Sequence, residues 1–500
     1  MTKKALKALL LIGLVVLMAL TAGVVMASGG KKAELPEYLG SEACLGCHTE
    51  KFTNWEATGH AHMLTEIVKP SDLPGDMNAA PEDLKAELLK ADYVVAGQRF
   101  LARDPATGDL VYLKVQWSAD QGKYLPYTRG GENWDQNCAG CHATGYDKST
   151  KRATEMYIGC ESCHGPGKEH ILGKGDPSKI AVTTDSQVCG SCHGAGNMKD
   201  GTRWPVGYRP GMKLGELLDL PVVDPHEVPP GPEKHWRQYP LWAASAHATA
   251  VTSLESSDHT GNYCYKCHAA EAFKDEMING KAFDPKQHAA YSAVSCVACH
   301  DPHNSAEQAQ LRMPADQLCI ACHNGSIPEG GTVKAGTEVH HPMKEMLTGY
   351  GAIGIAPTKG AHSGLTCVEC HMTEGNHLMK VITPEDILSL GNTTRKDSCT
   401  ACHAHANSTP ESRAVYLELW TESVTTRLEA IKGDVAYVDA KLKANTNGLT
   451  GDALAKYQAA KTNASFVEAD ASKGAHNFEY AIKILTAAQK EITAARAAVK

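Results

Sequence analysis

The 500-residue chain carries 49 Lys and Arg against 57 Asp and Glu, a formal net charge of −8, with 42% hydrophobic and 6% aromatic residues. That balance excludes the basic footprint of a nucleic-acid binder or of a protein drawn to an anionic membrane surface. Six Phe are also few for a core of this length, so other large apolar bodies must fill the interior.

The first thirty residues point to export. Lys3, Lys4 and Lys7 precede an apolar run from Ala8 to Ala27, and Val25 and Ala27 stand as a signal-peptidase site. Residues 1–27 therefore read as a cleaved secretory signal. The run also has the length of an uncleaved anchor, which is the alternative reading. LTAGV resembles a lipoprotein box but has Val24 where the lipidated Cys would sit. Cleavage takes the formal charge from −8 to −11, and the mature chain is expected without a membrane anchor, in the periplasm or at the cell surface and outer cell wall.

All 18 cysteines then fall in nine CxxCH motifs: Cys44/Cys47, Cys138/Cys141, Cys160/Cys163, Cys189/Cys192, Cys264/Cys267, Cys296/Cys299, Cys319/Cys322, Cys367/Cys370 and Cys399/Cys402. None is left over for a disulfide. Two thiols at that spacing add to the vinyl groups of a haem, and the adjacent His binds its iron. Zinc knuckles and CxxC redox pairs need no such His, and nine in succession exclude chance. The expected cofactors are nine covalently bound haem c groups, with proximal iron ligands His48, His142, His164, His193, His268, His300, His323, His371 and His403. Haem attachment takes place outside the cytoplasm, so motif and signal support each other.

The motifs divide the chain. Residues 37–205 hold haems 1–4, a Pro-rich linker occupies 206–240, residues 241–405 hold haems 5–9, and 406–500 form a haem-free helical tail. The expected fold is mainly α, with little regular structure around the haems. Between haems 1 and 2, ADYVVAGQRFLARDPATGDLVYLKVQW reads as a small β-hairpin region near 92–127, two alternating strands around DPATGD. In the tail, Ser408 and Glu411 read as a capping box with Pro410 at the first helical position. Trp420, Val424, Leu428, Ile431, Val435, Val438 and Leu442 follow as a heptad-like stripe of a long helix. It covers either the protein's own core or a second copy in a homodimer.

Fifteen of the 24 His lie outside the motifs, against at most nine sixth ligands. A bis-His iron is saturated and passes electrons, whereas an iron with an open face binds substrate. NWEATGHAHM around His60 and LWAASAHATA around His247 share a Trp five residues before the His. They read as one motif used twice, a helical His reaching the far face of a neighbouring haem.

From Trp242 to the C-terminus the order of motifs resembles the pentahaem cytochrome c nitrite reductases and their octahaem relatives. The residues are SCVACHDP with Gln310, Leu311 and Arg312, then CIACH, HHPMKE, HSGLTCVECHM, SCTACH, a long helix and AHNFEYA. The front, YLGSEACLGCH with GCESCHGPGKEH, is similar to the cytochrome c-554 type. In joining the two, the chain resembles the nonahaem terminal reductases of the outer cell wall. The resemblance puts His170, His247, His362, His377 and His476 at distal positions, and His60 and His303 join them as candidate distal iron ligands.

Motif 5, NYCYKCH, stands where the nitrite reductases keep their catalytic haem, with His268 in place of their Lys. Their distal Arg corresponds to Ser245, and their Tyr falls on the run Asn324, Gly325 and Ser326. Only a His before Pro is kept, as His341, the candidate catalytic residue. The Lys and Gln of their calcium loop are replaced by Glu338 and His340, so calcium, which the resemblance brings with it, has lost two ligands. Nitrite reduction needs cationic and proton-donating groups about the oxyanion, and one of three is present. The expected function is therefore a cell-surface terminal reductase, fed by partner cytochromes or a quinone-pool donor and reducing extracellular ferric or quinone acceptors. The alternative is an enzyme reducing nitrite, hydroxylamine or a sulfur oxyanion at haem 5, with His341 standing off an open iron.

Overall fold

The computed structural model describes residues 36–226, 235–258, 261–287, 290–391, 394–405, 408–444 and 448–499. The expected signal, 1–27, lies outside the described residues, as does 227–234 of the expected linker. No helix among the described residues is long and apolar enough to cross a membrane.

Regular structure is gathered at two places, with short helical turns between them. Near the front, β1 (Leu64–Glu66), β2 (Tyr93–Val95), β3 (Arg99–Arg103), β4 (Leu110–Ser118) and β5 (Lys123–Pro126) form an antiparallel sheet in sequence order. The DPATGD turn joins β3 to β4 as the sequence predicts, with Leu101 opposite Tyr112 and Arg103 opposite Leu110. The region is a five-stranded meander rather than one hairpin. Its extra strands are three and four residues long, too short for alternation to show, and Ala96 and Gly97 turn β2 onto β3 at φ 46° and 68°.

Alternation then builds two cores. Phe100, Leu113 and Val115 face one way, against Leu84 and Leu88 of the helix Glu82–Leu88. Leu101, Leu110 and Tyr112 face the other, against Trp134 and Ala139 beside motif 2. The sheet is thus the platform on which motif 2 stands.

The Pro-rich stretch is packed rather than free over its described part. Leu214 and Leu218 are buried, Asn197 and Asp219 exchange backbone hydrogen bonds, and Arg209 binds Glu37 and the Tyr38 hydroxyl.

The tail consists of α1 (Pro410–Ala444), α2 (Gly451–Asp470) and α3 (Phe478–Ala498). Thr409 rather than Ser408 caps α1: its hydroxyl accepts from the Ser412 N–H, and the Ser412 hydroxyl accepts from the Thr409 N–H. With Pro410 first in the helix, Ser412 and not Glu411 stands at the third position. The heptad stripe is spent inside the protein. Val424, Ile431 and Val438 are buried, Leu428, Val435 and Leu442 pack on the same cluster, and α2 and α3 supply the rest. Trp420 remains 43% exposed and stacks on Phe478. From Val424 to Leu442 the stripe is therefore covered by the protein's own tail.

Candidate haem-binding sites

Each motif rides on about one helical turn, as in Cys160–His164, Cys367–His371 or Thr400–His403. Residues three and four apart share a helix face, so both thiols and the imidazole leave the same side.

A second imidazole faces every motif histidine. In the front half, ring centroids lie 6.3 Å apart for His48 and His170, 6.5 Å for His142 and His235, 6.0 Å for His164 and His303, and 6.5 Å for His193 and His60. In the back half they lie 6.2 Å apart for His300 and His377, 6.0 Å for His323 and His247, 6.3 Å for His371 and His476, and 6.3 Å for His403 and His362. His268 faces two rings, His340 at 6.5 Å and His341 at 6.4 Å. Two imidazoles bound to one metal through bonds of about 2 Å stand with centroids roughly 6 Å apart. The set has the spacing of axial pairs.

The second nitrogen of many of these rings is already occupied. Among motif histidines, Nδ1 meets the backbone oxygen of Ala181 for His164, Ala309 for His300 and Met379 for His371. Among the facing ones, Nδ1 meets Asp176 O for His170, Ala475 O for His362, Gly375 O for His377 and the Asp470 carboxylate for His476. Such bonds fix the tautomer and aim Nε2 at the metal. Burial also keeps rings in the neutral form that binds iron. It pushes His142, His323 and His341 down to about 4, helped by neighbouring histidines. Thiols and opposed neutral imidazoles fit haem c. The back half surrounds a cavity of 2620 Å³ lined by residues of motifs 4 to 9.

The repeated Trp motif works the same way twice. The Trp55 indole donates to Ile158 O, two residues before Cys160, and the Trp242 indole donates to Val294 O, two before Cys296. His60 and His247 then face the histidine of the next motif in each case.

Thiols of different motifs meet in an ordered way. Cys44 lies beside Cys160, Cys141 beside Cys192, Cys189 beside Cys296, Cys267 beside Cys322 and Cys319 beside Cys367. Cys163 feels the charge of Cys192, Cys319 that of Cys299, and Cys370 that of Cys402. The motifs therefore run 1, 3, 4, 6, 7, 8, 9, with motif 2 beside motif 4 and motif 5 beside motif 7. The neighbour pairs 1–3, 2–4 and 3–4 recur three motifs later as 4–6, 5–7 and 6–7.

All seven candidate distal histidines face a motif histidine at these distances. Sequence reasoning missed His235, which sits in the stretch read as a linker, and His340. The repeat carries a signal for both: His235 follows motif 4 and faces motif 2, as the His340–His341 pair follows motif 7 and faces motif 5. Around motif 5, the Ser245 hydroxyl donates to Trp242 O, and the Asn324 amide donates to Ile320 O. Among the described residues, the one metal-holding cluster of His, Cys, Asp or Glu is His268, His340 and His341. That is a nitrogen set, whereas calcium takes oxygens.

Comparison with known proteins agrees with this chemistry. Residues 338–500 match the cytochrome c552 family, 288–327 the doubled CXXCH motif, and 116–165 with 233–301 the cytochrome c554 and c-prime family. The chain is 26% identical over 229 residues to the multiheme cytochrome MtrA of Shewanella baltica, covering 41% of this chain and 55%, about half, of that relative's length. The S-layer undecaheme cytochrome of Carboxydothermus ferrireducens shares the fold at a TM-score of 0.64 and 24% identity, over 94% of this chain and 71% of that one. The outer cell wall cytochrome OcwA superposes with a TM-score of 0.76 and 31% identity, over 91% of this chain and all of that one. With its CxxCH motifs and paired imidazoles, the chain belongs to the multihaem c-type cytochromes.

Proposed function

We propose that the chain is a nine-haem electron conductor and terminal reductase, exported from the cytoplasm and passing electrons to extracellular ferric or quinone acceptors. The observation that carries this reading is the unbroken succession of neighbouring motifs from Cys44 to Cys402. Haem c supplies an iron that cycles between ferric and ferrous states. The polypeptide fixes the order of the sites and saturates the irons with the facing histidines. Cys47 and Cys402 are the two exposed cysteines, and they belong to motifs 1 and 9, the two ends of the succession. Electrons from a partner cytochrome or quinone-pool donor enter at one end and leave at the other. The front haem region 37–205, the strap 206–240, the back haem region 241–405 and the tail 406–500 serve as successive parts of one conductor. Likeness to an outer cell wall cytochrome and an S-layer cytochrome supports the location.

The second reading, reduction of nitrite, hydroxylamine or a sulfur oxyanion at haem 5 with His341 as acid, draws on the two imidazoles facing His268. Against it, Ser245 and Asn324 spend their polar atoms on backbone carbonyls. The deciding experiment is stopped-flow re-oxidation of the fully reduced nine-haem protein by ferric citrate, a water-soluble anthraquinone and nitrite. Rapid re-oxidation of all haems by the first two, with slow oxidation by nitrite, is expected. A fraction left reduced by both fast acceptors overturns the proposal.

A further inference from the structure

Motif 5 is faced by two candidate ligands that are neighbours in sequence, whereas the second rings in range of His193 and His323, His235 at 6.2 Å and His341 at 5.8 Å, stand apart in the chain from His60 and His247. His340 and His341 are adjacent, their ring centroids 3.9 Å apart, and each lies at axial-pair distance from His268. The ligand nitrogens of all three lie within 4.8 Å of one another. Distance does not rank the two, because 6.5 and 6.4 Å both fall in the range of the other pairs.

The loop that carries them is held at both ends. Val339 is buried in the tail core. On the other side Pro342 leads into the helix Met343–Thr348, whose Lys344 N–H donates to His323 O and whose buried Glu345 accepts from Gly325 N–H. Between these anchors His341 takes φ 48°, a left-handed conformation uncommon for a residue with a Cβ. Among the described residues neither ring has a hydrogen bond, unlike His170, His362, His377 and His476, whose Nδ1 atoms are tied. The backbone is fixed, and among the described residues no hydrogen bond holds either ring.

We propose that His340 and His341 exchange as sixth ligand of haem 5, so that a small ligand enters by displacing one imidazole while the other remains alongside as a hydrogen-bond donor. Exchange of neutral imidazoles moves no net charge and needs no oxidant or reductant. It explains how a site in a saturated conductor admits a ligand without a standing open face. His341 also lies 5.8 Å from the ring of His323. Its swing therefore stays between motif 5 and motif 7, the site to which motif 5 is joined.

The inference rests on the nine-haem reading only through attachment of haem 5 at Cys264 and Cys267. The experiment is low-temperature EPR and cyanide titration of the oxidised nine-haem protein and of His340→Ala, His341→Ala and the double variant, with haems counted by mass. Each single variant should keep every haem low-spin and bind cyanide within a few-fold of wild type. The double variant should gain one high-spin haem, which added imidazole returns to low-spin. A single variant with the full high-spin signal means one fixed ligand, and a double variant with no high-spin haem means that neither histidine binds; either overturns the proposal. Eight haem masses in the wild type would instead defeat the nine-haem reading. Should the double variant fail to fold, His340→Met with His341→Ala and His340→Ala with His341→Met decide: a methionine-ligated low-spin signature in both shows that each position reaches the iron and supports exchange, and its absence from either overturns it.

Discussion

Motifs 2 and 5 occupy matching places in the two halves of the molecule, each beside the main succession and each faced by histidine from a loop that follows the next motif but one. Their surroundings differ. Motif 2 stands on the sheet: Trp134 and Ala139 are fully buried, the Asp135 carboxylate accepts from Leu110 N–H, and Gly140 lies under the Trp204 ring. It faces one imidazole, His235. Motif 5 is flanked by the partly buried aromatics Tyr265, Phe283 and Tyr291 and followed by a single π-helical turn, Lys274–Ile278, a distortion often found at functional sites. It faces two imidazoles. A repeated plan thus yields one locked side site and one adaptable one, and the departure from the plan, rather than the plan, marks where ligand chemistry belongs.

The largest effect should come from the site that joins the halves. Replacing Cys189 and Cys192 by Ser removes motif 4, which touches motifs 2, 3 and 6. Mass should show eight haems, and ferric citrate should then re-oxidise the two ends in separate phases. Replacing Cys138 and Cys141 by Ser also leaves eight haems but keeps a single phase. If both variants behave alike, motif 2 is not a side branch.

Next in size is the platform. Trp134→Ala opens a cavity in a fully buried site and should cost about 3–5 kcal/mol, seen in thermal denaturation followed at the haem bands. Tyr291→Ala at motif 5 should cost about 1 kcal/mol, the ordinary size for a partly exposed position. Equal losses would erase the contrast between locked and adaptable sites.

The variable residues inside the motifs sharpen the same contrast. A Cβ on Gly140 would lie 2.0 Å from Trp204 ring carbons, so Gly140→Ala should cost about 1–3 kcal/mol through overpacking. Lys266, in the equivalent position of motif 5, is not enclosed in this way, and Lys266→Ala should stay within about 0.5 kcal/mol.

What could be read in advance followed what is covalent or periodic. The cysteine spacing names the thiols and proximal histidines directly, and the stripe from Val424 to Leu442 marks a long helix. The DPATGD turn marks one hairpin, but strands such as Leu64–Glu66 are too short to carry alternation, so the meander was invisible. The facing imidazoles join residues far apart in the chain, as His164 with His303 or His48 with His170, and no local pattern encodes which motif a histidine faces. Resemblance named several of the facing histidines without saying which motif each one faces. His235 escaped because prolines around it suggested a spacer, whereas Leu214 and Leu218 anchor that segment.

The smallest effect separates a held ligand from a loose one. The carboxylate of Asp470, 2% exposed, lies 2.6 Å from Nδ1 of His476, which faces His371 at motif 8. Burial acts to lower the His476 pKa, and the hydrogen bond and charge of Asp470 override it, holding the ring above its ordinary value. The same interaction makes Nε2 a stronger donor, which favours ferric over ferrous iron. Asp470→Asn keeps an acceptor oxygen and removes the charge. One of the nine one-electron components in a spectroelectrochemical titration should then move to higher potential by about 60 mV, the equivalent of a tenfold change in the ferric-to-ferrous preference. Asp470→Ala also frees the ring and should broaden the low-spin EPR signal of that haem, which Asp470→Asn should leave sharp. Replacing His340 has no such second partner to disturb, so any potential shift there reports exchange of the ligand itself. An Asp470→Asn titration that superimposes on wild type would mean that the carboxylate positions the ring without tuning the iron.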